Sequence, residues 1–130
     1  MKTATQIAER RQSPRFKVQG MVIAVSRPHS HPPGSIKEIS RSGLVFQYRE
    51  NGNGNGWMMP RELDIIYADY VATHHLEKIP VRIVSDVFIG KNGKKNESVL
   101  RRQALAFDNL TRQQESQLEH LIQAWGSTPL

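Results

Sequence analysis

SIKEISRSGLVFQY, residues 35–48, decides the fold because it holds two short runs of strand residues around a polar break. The second run contains the apolar residues Leu44, Val45 and Phe46, which are typical of a buried strand. The break, at residues 40–43, contains two serines and a glycine, and these residue types favour turns. The stretch therefore predicts two short strands interrupted by a turn.

Similar strand patterns recur along the chain and are separated by short segments rich in turn residues. The patterns contain many β-branched residues, and Gly20 marks a bend or bulge within the first of them. The further predicted strands cover residues 16–27, 62–68, 78–90 and 98–107.

After Leu110 the apolar residues follow helical spacing. They are Leu118, Leu121, Ile122 and Trp125. Thr111 and Gln114 have the spacing of a capping box, in which each residue satisfies a free backbone N–H of the other. The pattern predicts one amphipathic helix that follows Thr111 and ends at Gly126.

Recurring strands followed by one helix predict a mainly β fold. We expect a small six-stranded antiparallel β-barrel, which removes most sheet edges, with a C-terminal α-helix over one opening. A length of 130 residues fits one domain. The expected organisation is a flexible N-terminal arm at residues 1–13, a single barrel-and-helix domain at 14–126, and a tail at 127–130.

The composition limits the classes of function. The chain has 18 Lys and Arg against 12 Asp and Glu, a formal charge of +6 that favours anionic partners. Cysteine is absent, which excludes disulfides and thiolate metal sites and suits the cytoplasm. The N-terminal residues MKTATQIAERR contain no apolar run, so neither export by a signal peptide nor membrane insertion is expected.

Arginines cluster ahead of the first strand, in ERRQSPRF at residues 9–16. Arg11 and Arg15 are four residues apart, and Pro14 disfavours a helix through them. An arginine can hold a flat anionic ligand by bidentate hydrogen bonds, bind a phosphate or stack on a base. On their own, the two arginines are also typical of a solvated basic arm.

A second polar group coincides with the break between the two strands of residues 35–48. Glu38 can accept hydrogen bonds from the edge of a base, and Ser40 can both donate and accept. Gly43 allows a positive φ or a close approach of backbone. Taken alone, this group is also typical of a bulged turn with exposed polar residues.

In this order the two groups resemble the RxxxR and (D/N)xSxxG motifs of the PilZ family of cyclic di-GMP receptors. The resemblance extends from Arg10 to Trp125. The family also ends in a strand with a terminal Phe, a short link and an amphipathic helix, here ALAFDNLTRQQESQLEHLI at residues 104–122.

The resemblance implies a receptor whose arm orders over cyclic di-GMP and so alters the surface offered to a separate effector protein. The implied ligand-binding residues are Arg11, Arg15, Glu38, Ser40 and Gly43. Arg10 is a further implied contact, because an arginine at its place in the family favours a stacked pair of ligands. No cofactor is implied. No phosphate-binding loop, HExxH motif or Gly-flanked nucleophile is present, so we expect no enzyme.

Two other functions stay open. Glu38 stands where the family has Asp or Asn, and Ala104 where many members have Gly. The longer stem of Glu38 shifts the carboxylate, which fits a PilZ-like adaptor that binds only protein. The net charge and the basic segment KNGKKN, residues 91–96, fit a small barrel that binds single-stranded nucleic acid. An aromatic content of 7% argues against a base-stacking platform, so no DNA or RNA partner is expected.

The histidines resemble metal ligands only by composition, because no cysteine and no second matched cluster accompanies them. The pairs concerned are His29 with His31 and His74 with His75. We expect loop histidines and no metal site.

Overall fold

The computed structural model describes residues 14–27, 33–50, 61–91 and 99–129. Within these ranges the strands form one antiparallel sheet of 8 strands, and a helix follows the seventh strand. The elements in chain order are β1 (Phe16–Val18), β2 (Val22–Arg27), β3 (Gly34–Ile39), β4 (Gly43–Glu50), β5 (Glu62–Ala68), β6 (Thr73–Lys91), β7 (Val99–Phe107), α1 (Arg112–Trp125) and β8 (Gly126–Pro129).

Six of the strands close into a barrel, in the order β2-β5-β6-β7-β4-β3. The closure is the pairing of β2 with β3, where Ile23 faces Ser35 and Ala24 faces Gly34. The predicted six-stranded antiparallel barrel with a C-terminal helix is therefore confirmed. Strands β1 and β8 lie outside this ring, with β1 paired to β3 and β8 paired to β1.

The chain kinks at residues 19–21, where a bend was predicted at Gly20, but the kink divides the predicted single strand at 16–27 into β1 and β2. The Trp125 ring occupies the space in which a Gly20 side chain would lie. The Trp125 carbonyl also accepts a hydrogen bond of 3.1 Å from the Gln19 N–H. Its indole N–H donates to the Ala68 carbonyl at 2.8 Å. The kink is thus fixed by a residue at the far end of the sequence.

The barrel interior and the inner face of α1 form one apolar core. The helix contributes Leu118, Leu121 and Ile122, three of the four residues predicted to face inward, and Trp125 is partly buried against them. Its predicted capping box is present, and its C-cap is Gly126, as predicted. The next residues form β8, where the sequence predicted a tail from residue 127. Within the described ranges, no helix has the length and apolarity that a membrane crossing requires.

Strand β6 begins at Thr73 rather than at residue 78, so His74 and His75 are strand residues and not the loop histidines expected. Lys78 interrupts the alternation of this strand because it has a φ of 53°. The buried carboxylate of Asp64 on β5 accepts a hydrogen bond of 2.9 Å from the Lys78 N–H and so stabilises the bulge. His29 and His31 lie outside the described residues.

Candidate functional site

The predicted break between β3 and β4 is a tight turn organised by Ser40. The Ser40 N–H donates to the Gly43 carbonyl at 2.9 Å. The Ser40 hydroxyl oxygen accepts hydrogen bonds from the N–H groups of Ser42, at 3.1 Å, and Gly43, at 3.2 Å. Ser40 is only 5% exposed. Its hydroxyl therefore fixes the shape of the turn, which positions neighbouring groups.

Gly43 brings this turn against β7. Gly43 pairs with Ala106, and the Ser42 carbonyl accepts a hydrogen bond of 2.8 Å from the Phe107 N–H. A Cβ on Gly43 would overlap the carbonyl oxygen of Leu105. The absence of a side chain is thus required by close backbone approach, as the sequence analysis allowed.

A β-bulge on β3 turns Glu38 outward. The register between β3 and β4 shifts between Ile36 and Glu38, so that Lys37 is an extra residue on β3. Ile36 and Ile39 both point into the core, whereas Lys37 is exposed and Glu38 is half-buried. Strict alternation from Ile36 would send Glu38 inward. The bulge therefore frees this carboxylate to face the surface beside the turn.

Arg15 lies at the same place because of the register of β1. Phe16 pairs with Ile39 and Lys17 with Glu38, so the residue before β1 lies beside Ser40. Arg15 is exposed, and it lines one cavity together with Glu38, Ser40 and Gly43. Four of the six residues that the sequence analysis assigned to a ligand site are thus brought together. Arg10 and Arg11 lie outside the described residues.

This cavity has a volume of about 140 Å³ and is open to solvent. Its far wall includes Val84, which is the extra residue of a bulge on β6, and Ala104 on β7. Val84 is 61% exposed although it is apolar. Pockets for drug-sized ligands usually occupy about 300–1,000 Å³. The cavity that the described residues form is therefore smaller than a usual pocket for such a ligand.

An ion pair joins the turn to the helix. The Arg41 guanidinium donates a hydrogen bond of 2.8 Å to the Glu119 carboxylate on α1. This hydrogen bond and the charge of Glu119 raise the pKa of Arg41 above its ordinary value. A second cavity of about 800 Å³ lies between the turn and the helix and is lined by Ser42, Arg41 and Glu119. The sequence analysis did not assign Arg41 or Val84 to the site. The place of Arg41 in the turn could have indicated Arg41, whereas no pattern in the sequence marks Val84.

The comparisons with known proteins support the fold. The sequence matches no protein-family model and no curated protein. The structure is similar to the PilZ domain, with c-di-GMP, of YcgR from Escherichia coli, with a TM-score of 0.64 and 15% identity over 89% of this chain and 91% of that chain. It is also similar to MrkH, a c-di-GMP-dependent transcription regulatory factor, with a TM-score of 0.59 and 13% identity over 85% of this chain.

A structure of MrkH from K. pneumonia in its apo state gives a TM-score of 0.60 and 11% identity over 84% of this chain. This chain spans 48% of MrkH in both comparisons, which is about half of its length. The chain therefore has a PilZ-like fold, as the motifs in its sequence predict.

Proposed function

We propose that this protein is a cytoplasmic receptor for cyclic di-GMP and acts through a separate effector protein rather than as an enzyme. The observation that carries the proposal is the convergence of Arg15 and Glu38 on one cavity at the Ser40–Gly43 turn. These residues come from two parts of the sequence whose motifs both imply the same ligand. The similarity to the YcgR domain with c-di-GMP supports the same ligand.

The chemistry of the two charged groups suits a guanine dinucleotide. A carboxylate such as that of Glu38 can accept hydrogen bonds from guanine N1–H and N2–H. The Arg15 guanidinium can donate two parallel hydrogen bonds to guanine O6 and N7, or bind a phosphate. Ser40 and Gly43 would act by holding the turn in place. One base would lie in the cavity, and the remaining contacts would come from Arg10 and Arg11 as the arm orders over the ligand.

The magnitudes agree with a useful affinity. Micromolar binding requires about 8 kcal/mol, and a hydrogen bond to a charged group contributes about 1.5–3 kcal/mol. Three charged groups, namely Arg11, Arg15 and Glu38, would supply most of this free energy, and base stacking would add the rest.

A route for the signal leads from the turn to α1. Ligand binding beside Ser40 would shift the turn residue Arg41 and with it the ion pair to Glu119. Together with the ordering of the arm, this changes the charged surface around the helix. We propose that the effector protein binds this surface in one ligand state only.

Isothermal titration calorimetry with cyclic di-GMP tests the proposal. We expect saturable binding by the wild-type chain and about 10- to 100-fold weaker binding by Arg15→Ala, which removes one charged hydrogen-bonding group. Arg61→Ala is the matched control, because Arg61 is also exposed but does not line the cavity. No heat with the wild-type chain at hundreds of micromolar ligand would refute the receptor.

An adaptor that binds only protein is a second candidate function. It is favoured by four exposed apolar side chains on β6, because Val84, Val87, Phe88 and Ile89 are 42–61% exposed. Glu38→Asp separates the two functions by restoring the carboxylate position of the family motif. A gain in affinity supports a receptor, whereas absent binding in both proteins supports the adaptor. Salt-dependent binding of single-stranded RNA that is unaffected by Arg11→Ala would instead support a nucleic-acid-binding barrel.

A further inference from the structure

Three side chains with metal-ligating atoms meet on the side of the barrel that faces α1. They are Asp69, which follows β5, His74 on β6 and His120 on the helix. The His74 Nε2 atom lies 2.7 Å from the Asp69 Oδ2 atom, and the His120 Nε2 atom lies 3.8 Å from the same oxygen. All three ligand atoms lie within 4.8 Å of one another. The cluster thus brings two imidazole nitrogens and one carboxylate oxygen close together.

The Asp69 carboxylate is held in place by the backbone. Its Oδ1 atom accepts hydrogen bonds of 2.7 Å from the Ala72 N–H and 2.8 Å from the Val71 N–H. These two bonds fix the orientation of the carboxylate, so that its Oδ2 atom faces the two histidines.

Tyr67 orients the histidine on the helix. The Tyr67 hydroxyl forms a hydrogen bond of 2.5 Å with the Nδ1 atom of His120. The phenol oxygen of Tyr67 can accept a hydrogen bond from an Nδ1–H of His120. Such a contact presents the Nε2 lone pair to the cluster. Metal-ligating histidines usually have this kind of outer partner on the opposite ring nitrogen.

We propose that Asp69, His74 and His120 bind a divalent transition-metal ion of the Zn²⁺ type, which joins α1 to the β5–β6 connection. Zinc binds histidine nitrogen and carboxylate oxygen at about 2.0–2.2 Å, which places tetrahedral ligand atoms about 3.3 Å apart. The observed separations of 2.7 and 3.8 Å to Asp69 bracket this value, and all three atoms lie within 4.8 Å of one another. Metal binding would replace the hydrogen bond between His74 and Asp69 and would require side-chain rotation.

The fourth coordination position would face solvent. A cavity of about 280 Å³, lined by Tyr67, His74 and His120 among others, opens beside the cluster. It shares no lining residue with the cavity at Arg15 and Glu38. The proposal is therefore independent of nucleotide binding, and either one can fail alone.

Titration with Co²⁺, followed by its visible absorption, tests the metal site, and displacement by Zn²⁺ identifies the preferred ion. The protein is used without an affinity tag. We expect one tightly bound ion per chain and a raised melting temperature with Zn²⁺. His120→Ala and Asp69→Ala each remove a ligand and are expected to weaken binding by more than about 100-fold. Tyr67→Phe removes only the outer contact and is expected to weaken binding by about 10-fold.

His75→Ala is the matched control, because His75 neighbours His74 but points to Asp64 instead of the cluster. It is expected to leave Co²⁺ binding unchanged. The double variant His29→Ala/His31→Ala removes the other histidine pair and is also expected to keep the site. The proposal is overturned if no Co²⁺ binds at micromolar concentration. It is equally overturned if binding survives in His120→Ala and disappears in the His29/His31 variant.

Discussion

Gly43→Ala is expected to destabilise the protein because the space between β4 and β7 cannot hold a Cβ. The added atom would overlap the Leu105 carbonyl oxygen and lie 3.2 Å from the Leu105 carbonyl carbon and 3.3 Å from the Ala106 Cα. These are backbone atoms of the paired strand, so relief requires the two strands to separate. Separation also weakens the hydrogen bond of 2.8 Å from the Phe107 N–H to the Ser42 carbonyl.

Overpacking costs about 1–3 kcal/mol, and loss of a backbone hydrogen bond costs about 0.5–1.5 kcal/mol. The expected loss for Gly43→Ala is therefore about 1.5–4.5 kcal/mol in the free energy of unfolding. At about 4 °C per kcal/mol for a domain of this size, the melting temperature should fall by about 6–18 °C. Urea denaturation of the ligand-free protein, with the slope of the transition fitted, measures the free energy directly.

Gly90→Ala on β6 is the matched control, because no heavy atom lies within 4 Å of the position of its Cβ. It is expected to change stability by less than about 1 kcal/mol, and in the stabilising direction, since alanine restricts the unfolded chain. The proposed overlap is refuted if the free energy of unfolding of Gly43→Ala lies within about 0.5 kcal/mol of that of the wild type. It is refuted as well if the two variants lose the same stability.

Three further variants are measured by urea unfolding in the presence of a chelator. Backbone hydrogen bonds, first that from Ala72, lower the pKa of Asp69 from 3.8 to about 2. The ionised carboxylate of Asp69 therefore stabilises the folded protein above about pH 4, and this contribution is lost as the pH falls towards 2. Between pH 5 and pH 2.5 the free energy of unfolding should thus fall less for Asp69→Asn than for the wild type. Thr111→Ala removes the capping box and should cost about 0.5–2 kcal/mol, with Thr111→Ser close to the wild type. Arg41→Ala breaks an ion pair to Glu119, which solvent screens because the pair is exposed, and it should lower the free energy of unfolding by less than about 1 kcal/mol. A larger loss would show that the pair is not screened in this way.

The features that the sequence predicted correctly depend on neighbouring residues. The turn at residues 40–43 follows from its serines and glycine, and the observed β5 has the predicted bounds of 62–68. The helix follows from the spacing of Leu118 and Leu121 and from the cap at Thr111. Each of these signals is complete within about ten residues of chain, so no tertiary contact is needed to interpret it.

The features that it missed depend on residues distant in sequence. Gly20 marked a bend, but the division into two strands there requires Trp125, and the bulge at Lys78 requires the carboxylate of Asp64. The bulge that turns Glu38 outward is a shift in pairing between strands, which alternation in one strand cannot show. At the candidate site, the motifs predicted that Arg15 meets the residues of the second motif, and the structure added how the turn and the bulge position them.

The cluster of Asp69, His74 and His120 was missed for the same reason. His74 was paired in the sequence with its neighbour His75, although adjacent residues on a strand face opposite sides. Its partners in the structure are Asp69 and His120, and the latter belongs to the helix. An Asp and a His five positions apart on a hairpin do not indicate such a cluster in the sequence, because the third side chain comes from the helix.

The packing of Trp125 against Gly20 also gives the molecule an optical probe of its own state. The indole ring touches the kink that follows β1, and its N–H donates to Ala68 ahead of the β5–β6 connection. Movement of Arg15 and β1, or of the end of the helix, therefore alters the polarity around one chromophore. With Trp57→Phe as background, the emission maximum of Trp125 would report both events without any attached label.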